Sequence, residues 1–383
     1  MRSAGRLRLT RPRRRSPVRR LLAWRGWASA PATVGVVVLL AGLYFTAQTL
    51  IATQAQSKAT QDQVRLAERG QNTDRFGRAI DQLGAEKIDV RLGGVYALEQ
   101  LARDQPGFVD MAEDVFSAFI RTHAPAHMPC ASGTAVDVQG ALTAVGRLRQ
   151  PRETWSYRLE VDLSDTCLAG ADLRGAMLQQ VDLNGADLSG AELHGAILRR
   201  ADLSGVRLDG AGLRDVDLES AQLSPVSAQG GDFGGANLRD ARLGGSLAGA
   251  AFYGTVMTNA TGQTVDFTGA TFNDTRADAL RLARGNFTGI TAWSADFSNS
   301  YLGGSVFAGA NFADVTLRGA DLTGAVITAV TFCAYRGDPE DPTCVETSAD
   351  LSGAVLRNAD LTGTPRRLLR LDGADLTEVT GLG

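Results

Sequence analysis

Three kinds of residue in this chain could do chemistry by their type and spacing. His123, His127 and Cys130 form H-x3-H-x2-C, a spacing at which imidazole nitrogens and a thiolate can converge on one ion. Pro125 and Pro129 interrupt the run and no fourth ligand stands near it, so no metal site is assigned. Asp162, Asp182 and Asp202 recur twenty residues apart, a candidate acidic column able to bind cations or to imitate a phosphate backbone. The alternative, which is preferred, is a solvated face whose like charges are screened by water. Cys333 and Cys344 bracket the insertion CAYRGDPEDPTC. They are candidates for a disulfide that closes it, worth about 3 kcal/mol if formed. The alternative is a pair of reduced thiols in a cytoplasmic loop. Cys130 and Cys167 have no evident partner, and His194 occupies an outward, solvated position. Nothing matches a P-loop, a nucleophile elbow, a dinucleotide fingerprint or a kinase signature. No catalytic residue, cofactor or small-molecule substrate is therefore assigned, and the chain is read as a non-enzyme.

These residues are positioned by a repeat. Cut into fives from Val161, the sequence reads VDLSD, TCLAG, ADLRG, AMLQQ, VDLNG, ADLSG and onward, with leucine third in thirteen consecutive blocks, Leu163 to Leu223. An α-helix does not repeat at five, and a strand repeats at two. A short extended piece and a turn, used four times, close a square coil of about 20 residues, and coils stack at about 4.8 Å. The third residue points inward, and the first, Ala or Val, fits beside it. The remaining positions face solvent, and glycine in the fifth eases the corner.

The expected inward core includes Leu163, Leu173, Leu183, Leu193, Leu203, Leu213 and Phe233 in a first phase. A second phase runs from Phe252, nine residues after Leu243, so a residue is dropped and an irregular corner is expected at 245–250. Its inward residues include Phe267, Phe272, Phe287, Phe297, Phe307, Phe312 and Phe332, which either fill the interior as stacked rings or line a ligand slot. The packing reading is preferred, because buried Leu and Phe at roughly 1.5–3 kcal/mol each must offset backbone ordering. Gly262, Ala277 and Ala292 are weak positions. A third phase begins at Leu351, and Thr364–Arg366 break the template, so the last coil is expected to be distorted.

The A-D-L-x-x blocks resemble the pentapeptide-repeat family, over residues 161 to about 378. The resemblance implies an all-β repeat fold, a right-handed quadrilateral β-helix, here preceded by a transmembrane helix and a small α-helical segment. The string at Thr73–Asp104, RTHAP at Arg121–Pro125 and DVQGALTAVGR at Asp137–Arg147 are similar to segments of membrane-anchored actinobacterial members. Such relatives often carry two hydrophobic segments and return the body to the cytoplasm, whereas this chain shows one. Some family members imitate B-DNA by rod shape and acidity, bind gyrase and shield it from inhibitors.

Charge divides the chain. Residues 1–26 carry ten Arg and no acid, residues 27–155 are near neutral, and residues 156–383 carry seventeen Lys/Arg against twenty-nine Asp/Glu. No charged residue occurs from Gly26 to Ser57, and Ala32–Ala52 is long enough to span a bilayer of about 30 Å. The arginines before it exceed the basic residues after it, so the positive-inside rule favours a cytoplasmic N-terminus and an outside body. The resulting plan is a basic tail at 1–31, a transmembrane helix at 32–52 and a helical stalk and cap segment at 53–155. The β-helix follows at 156–332, an inserted loop at 333–348, and final repeats with a C-terminal cap at 349–383. Within the cap segment, helices are expected at 106–124 and 135–145, with Gly84 and Gly93–Gly94 as punctuation.

The sequence supports a non-catalytic, single-pass scaffold of the cell membrane, presenting an acidic rod to an unidentified protein partner. The arginine cluster would meet anionic lipid rather than nucleic acid. The alternative is a DNA-mimicking modulator of DNA gyrase, which needs a cytoplasmic body. Deleting residues 1–52 is expected to release a soluble, β-rich protein. Its recovery in the membrane pellet after fractionation would contradict the single anchor.

Overall fold

The computed structural model describes residues 30–126, 130, 133–149, 161–335 and 344–382, so the basic tail, His127 and residues 336–343 of the insertion lie outside the described residues. The chain forms two units, Met1–Thr73 and Asp74–Gly383. Helix α1 (Ala30–Leu83) supplies all the described structure of the first. Its early part is long and apolar enough to cross a membrane, and Val36, Leu39, Leu43, Phe45 and Leu50 are all exposed. The hydroxyls of Thr46 and Thr53 donate to the carbonyls of Gly42 and Thr49, four residues back, at 2.7 Å. Hydroxyls within the apolar stretch are thus satisfied inside the helix.

The second unit begins with the end of α1 and three more helices, α2 (Ile88–Asp104), α3 (Val109–His123) and α4 (Val136–Leu148). Val95, Leu98, Phe116, Ile120, Val138, Leu142 and Val145 form their shared core. Gly93 and Gly94 do not punctuate the helices, as their composition suggested, but lie inside α2. A Cβ on Gly94 would stand 2.8 Å from the Leu83 nitrogen, so glycine there allows α1 and α2 to cross closely.

From Val161 the backbone makes about ten coils of a four-sided β-solenoid. Parallel bridges join residues twenty apart on each side. Sides 1 to 4 are named here by the first-coil inward residues Leu163, Leu168, Leu173 and Leu178. In the regular blocks the fifth residue turns the corner at positive φ, +51° at Asp165 and +68° at Gly170. Position three is buried along the rod except at Gly262 and in the last coil, where Leu371 and Leu376 are half-buried. Leu163, Leu183, Leu193, Leu203 and Leu213 are at most 1% exposed, Leu173 is 2%, and the bridges place Leu173, Leu193, Leu213 and Phe233 in one column. Where position one is polar it bonds inward, as when the Thr166 and Thr255 hydroxyls donate to the Leu163 and Phe233 carbonyls at 2.6 and 2.7 Å.

The open edge of the first coil is covered on all four sides. On side 1 the Ser117 hydroxyl donates to the Asp162 carbonyl. On side 2 Ala126 N–H reaches the Asp165 carbonyl and Cys167 N–H the Ala124 carbonyl, both at 2.7 Å. On side 3 the Gln139 amide accepts from Asp172 N–H at 2.9 Å and donates to its carbonyl at 2.7 Å. On side 4 Met177 N–H meets the Gly146 carbonyl at 3.2 Å. The helical segment therefore removes a strand edge that would otherwise be a template for aggregation.

The phase changes sit at corners. Leu223 pairs with Leu243, twenty residues on, but Val226 pairs with Gly245, nineteen on. The dropped residue is thus at Gly244–Gly245 rather than across 245–250, and Leu247, not Phe252, is the first inward residue of the new phase. A Cβ on Gly245 would collide with the Val226 carbonyl, which is why the shortened corner requires glycine. The 333–348 insertion leaves as a hairpin, with β8 (Cys333–Tyr335) antiparallel to β9 (Cys344–Glu346), and Leu317 N–H still finds the Asp350 carbonyl at 2.7 Å. Near the end, a single 3₁₀ turn at Arg366–Leu368 replaces the regular block.

The phenylalanines stack. Phe267, Phe287 and Phe307 rise on side 2 at centroid spacings of 5.1 and 4.7 Å. Phe233, Phe252 and Phe272 rise on side 3 at 5.1 and 4.9 Å, and Phe312 lies on the same side. Above Phe272 the side 3 position is Ala292, and Phe297 leans in from side 4 to within 5.8 Å of Phe272. Large and small residues thus compensate within a layer and leave the rings in mutual contact. Truncating Phe272 to Ala is expected to cost about 3–5 kcal/mol in chemical denaturation, through a cavity the neighbouring rings cannot fill. A loss well under 1 kcal/mol would mean the rings are not tightly packed.

Candidate binding face of the solenoid

The outward chemistry of the rod begins at position two of each block. There an aspartate accepts the N–H two residues on: Asp162 from Ser164 at 3.0 Å, Asp182 from Asn184 at 2.9 Å and Asp202 from Ser204 at 2.9 Å. The same Asx turn recurs at Asp187, Asp232, Asp296, Asp321 and Asp360. The carboxylate is therefore first a corner device, holding the turn into position four. Asp162, Asp182 and Asp202 do stack in one half-buried column on side 1. Asp162 also accepts Arg121 of α3. Among the described residues Asp182 and Asp202 have no cation beside them.

Elsewhere arginines hold the acids. Arg174 grips Asp172 of its own block at 2.7 Å, and the Asp172 carboxyl is lowered to about 2 by the Arg174 side chain and then by its N–H. Arg199 and Arg357 reach Asp217 and Asp375 in the next coil at 2.5 Å, Arg207 reaches back to Asp187 at 3.3 Å, and Arg214 meets Asp232 at 3.6 Å. The Thr377 hydroxyl and then Arg357 lower Asp375 to about 2. Burial raises the Asp350 carboxyl, but the Ser352 hydroxyl and N–H, with Arg370 and Arg318, outweigh it and leave it lowered.

Side 1 departs from this pattern in its middle coils. There β3 (Val206–Arg207), β4 (Gln222–Ser227), β5 (Arg242–Ser246), β6 (Thr261–Gln263) and β7 (Arg281–Ala283) join into one five-stranded parallel sheet. In β4 and β5 extended backbone replaces the corner. The inward residue of the next coil is Gly262, and the face is dented into a groove of about 460 Å³ between Arg242, Arg281, Gln263 and Tyr301. Tyr301 is 50% exposed. Arg242, Arg281 and Arg284 are exposed and, among the described residues, their side chains have no ion pair or hydrogen bond to the protein. This basic cluster was missed in the sequence. Its signal is the position-two series of side 1, which changes from Asp162, Asp182 and Asp202 to Gln222, Arg242, Thr261, Arg281 and Tyr301. The one-residue slip hides that series from a count of twenties.

The remaining candidates fall as follows. Cys333 and Cys344 are bonded across the β8–β9 hairpin, with Cα atoms 5.0 Å apart. Cys130 and Cys167 are not partnerless but bonded to each other, Cα atoms 5.7 Å apart. Their separation of 37 residues concealed the pair. Ala124–Ala126 runs along the edge of the first coil at Asp165–Cys167 and brings them together. His123 stacks on Phe119 at 4.1 Å, and its Nδ1 lies 2.9 Å from the Phe119 carbonyl. His194 rests against Glu192 at 2.9 Å. Among the described residues no three His, Cys, Asp or Glu side chains gather as a metal site would require.

Because Asp172 and Asp375 titrate near 2 when folded and near 3.9 when unfolded, the unfolded chain binds more protons between those values. Their contribution to stability is present above about pH 4 and lost as pH falls toward 2, and it is modest because both groups face solvent. An Asp172→Asn variant is expected to show a flatter fall of stability between pH 4 and 2 in a denaturation series. An unchanged slope would mean that the Arg174 contact does not hold the carboxylate.

The family described as pentapeptide repeats matches the chain in eight copies, over residues 160–195, 186–224, 294–328 and 347–380. A comparison with curated proteins gave no match. Among solved structures, the chain is similar to HetL, a pentapeptide repeat protein involved in heterocyst differentiation regulation from the cyanobacterium Nostoc sp. strain PCC 7120. The identity is 24% over 53% of this chain and 86% of that one, with a TM-score of 0.28. It is similar to QnrB1, a plasmid-mediated fluoroquinolone resistance protein, at 19% identity over 55% and 88%, TM-score 0.29. A pentapeptide repeat protein of the Arabidopsis thaliana thylakoid lumen aligns at 34% identity over 27% and 69%, TM-score 0.20. The five-residue blocks, their eight matched copies and the four-sided coil they build identify the chain as a pentapeptide-repeat protein.

Proposed function

We propose that the protein is a non-catalytic scaffold, of the membrane-anchored actinobacterial type, held in the cell membrane by residues 32–52 and presenting the solenoid to a protein partner. The arginines of 1–31 would meet anionic headgroups on the cytoplasmic side. The observation that carries the reading is the contrast between a filled interior and an addressable surface. Among the described residues, rings and leucines fill the inside of the coils and leave no ligand cavity through them, while side 1 combines a dent with unpaired arginine side chains. The disulfides Cys130–Cys167 and Cys333–Cys344 support an outside body, since such bonds persist in oxidising compartments. The arginine–carboxylate pairs speak against DNA mimicry, because interspersed charge makes a weaker field than a stripe of one sign.

Fusing alkaline phosphatase, which is active only outside the cytoplasm, to the C-terminus is expected to give active enzyme. Purified residues 53–383 are expected to leave gyrase supercoiling unchanged. An inactive fusion, together with gyrase inhibition that disappears when Asp162, Asp182 and Asp202 become Asn, would replace this reading with the alternative.

A further inference from the structure

The unpaired arginines of side 1 have counterparts on the same side. In coil order the position-two residues of side 1 run Asp162, Asp182, Asp202, Gln222, Arg242, Thr261, Arg281. Over these seven coils acid occupies the first three and arginine the fifth and seventh, with neutral Gln222 between them, and Tyr301 and Asp321 continue the column beyond. The adjoining corner column repeats the arrangement, with exposed Asp165 in the first coil and exposed Arg284 in the seventh. Between the two columns lie Ser164, Asn184, Ser204, Ser224, Gly244, Gln263 and Ala283, mostly short residues that let another surface approach.

We propose that side 1 is a self-complementary surface on which a second copy of this chain docks antiparallel, about a two-fold axis through the coil of Gln222. The inference rests on the protein-binding reading and names the partner. Under that axis a two-fold perpendicular to the rod keeps each column facing itself in reverse order, so residue i meets j and j meets i. Asp202 then faces Arg242, Asp165 faces Arg284 and Asp162 faces Arg281, each twice. A parallel arrangement would set acid against acid. Asp162 already accepts Arg121, so Asp202–Arg242 and Asp165–Arg284 carry the recognition. The contact is polar and carries the dent at Gly262, so it is salt-sensitive and weak on its own, and confinement to a membrane raises the effective concentration of both copies.

The test is a charge swap. The template tolerates both substitutions: arginine already occupies position two at Arg207 and Arg276, and aspartate is the common residue there. Residues 74–383 contain every buried side chain of the described structure and are the species to use. Sedimentation equilibrium at low salt is expected to show a monomer–dimer equilibrium that dissociates as salt is raised. Arg242→Asp and Asp202→Arg should each weaken it by about tenfold or more, since each sets like charges together twice. The double variant should restore it. Monomer at every concentration, or single variants that associate like the parent, would overturn the proposal.

A second experiment separates this from the scaffold reading. A photo-crosslinking amino acid at Gln263 of the full chain in cells is expected to give a homodimer band joined near Asn184. A cross-link to a different protein, with no homodimer, would overturn self-docking while supporting the scaffold. No cross-link of either kind would count against both on this face.

Discussion

One backbone register carries the solenoid. Through the regular coils the N–H of an inward residue donates to the carbonyl nineteen residues on: Leu163 to Asp182, Leu193 to Gly212 and Phe307 to Val326, all near 2.7 Å. A strand pair of two residues would be negligible alone, and each becomes stable only because the coils above and below it repeat the same spacing. The register forces everything else. A deletion can survive only where glycine lets the corner shorten, as at Gly245. An insertion can survive only if it leaves and re-enters at one corner, as the hairpin after Phe332 does. An end must be covered, because its donors and acceptors have no further coil to meet, and the helical segment meets them side by side.

The same register explains which properties were legible in the sequence. Inward positions have one solution per block, so Leu163 to Leu223 and the phenylalanines announce period, side and depth together. The early part of α1 is similarly over-determined, since only an apolar run without charge produces it. What stayed hidden involves residues related across the repeat rather than along it. Cys130 and Cys167 meet only because the chain lies along the first coil before entering it. Leu247 was concealed because glycines around it left the new phase unmarked. Gly94 reads as a helix breaker locally and becomes a contact point only when α1 crosses α2.

The acids show how a signal can be seen and still be misjudged. A column of aspartates looks like a charge feature. Each one in fact closes the turn to the residue two on, which any coil needs, and the excess negative charge of the rod follows from that requirement. The arginines then sort into two sets. Those at Arg174, Arg199, Arg207, Arg214 and Arg357 answer a carboxylate in their own or a neighbouring coil. Those at Arg242, Arg281 and Arg284 answer none of the described residues, although acids lie only a few coils away on the same side.

That separation bears on how a repeat scaffold acquires a specific surface. Position two faces solvent, and the ladder forms with arginine there at Arg207 and Arg276 as well as with the turn-closing aspartate, so charge can change sign from coil to coil. Local pairing is the low-energy outcome when opposite charges fall in adjacent coils, and it erases recognition by satisfying each charge at home. Charges kept apart by a neutral coil cannot do this, because at about 4.8 Å per coil two or more coils exceed the reach of a direct ion pair. Gln222 is that neutral coil. It keeps Asp202 and Arg242 on one face yet out of contact, and the dent at Gly262 lies beside Arg242. The charges then remain available to another molecule, and their order along the rod, rather than their number, decides what that molecule must look like.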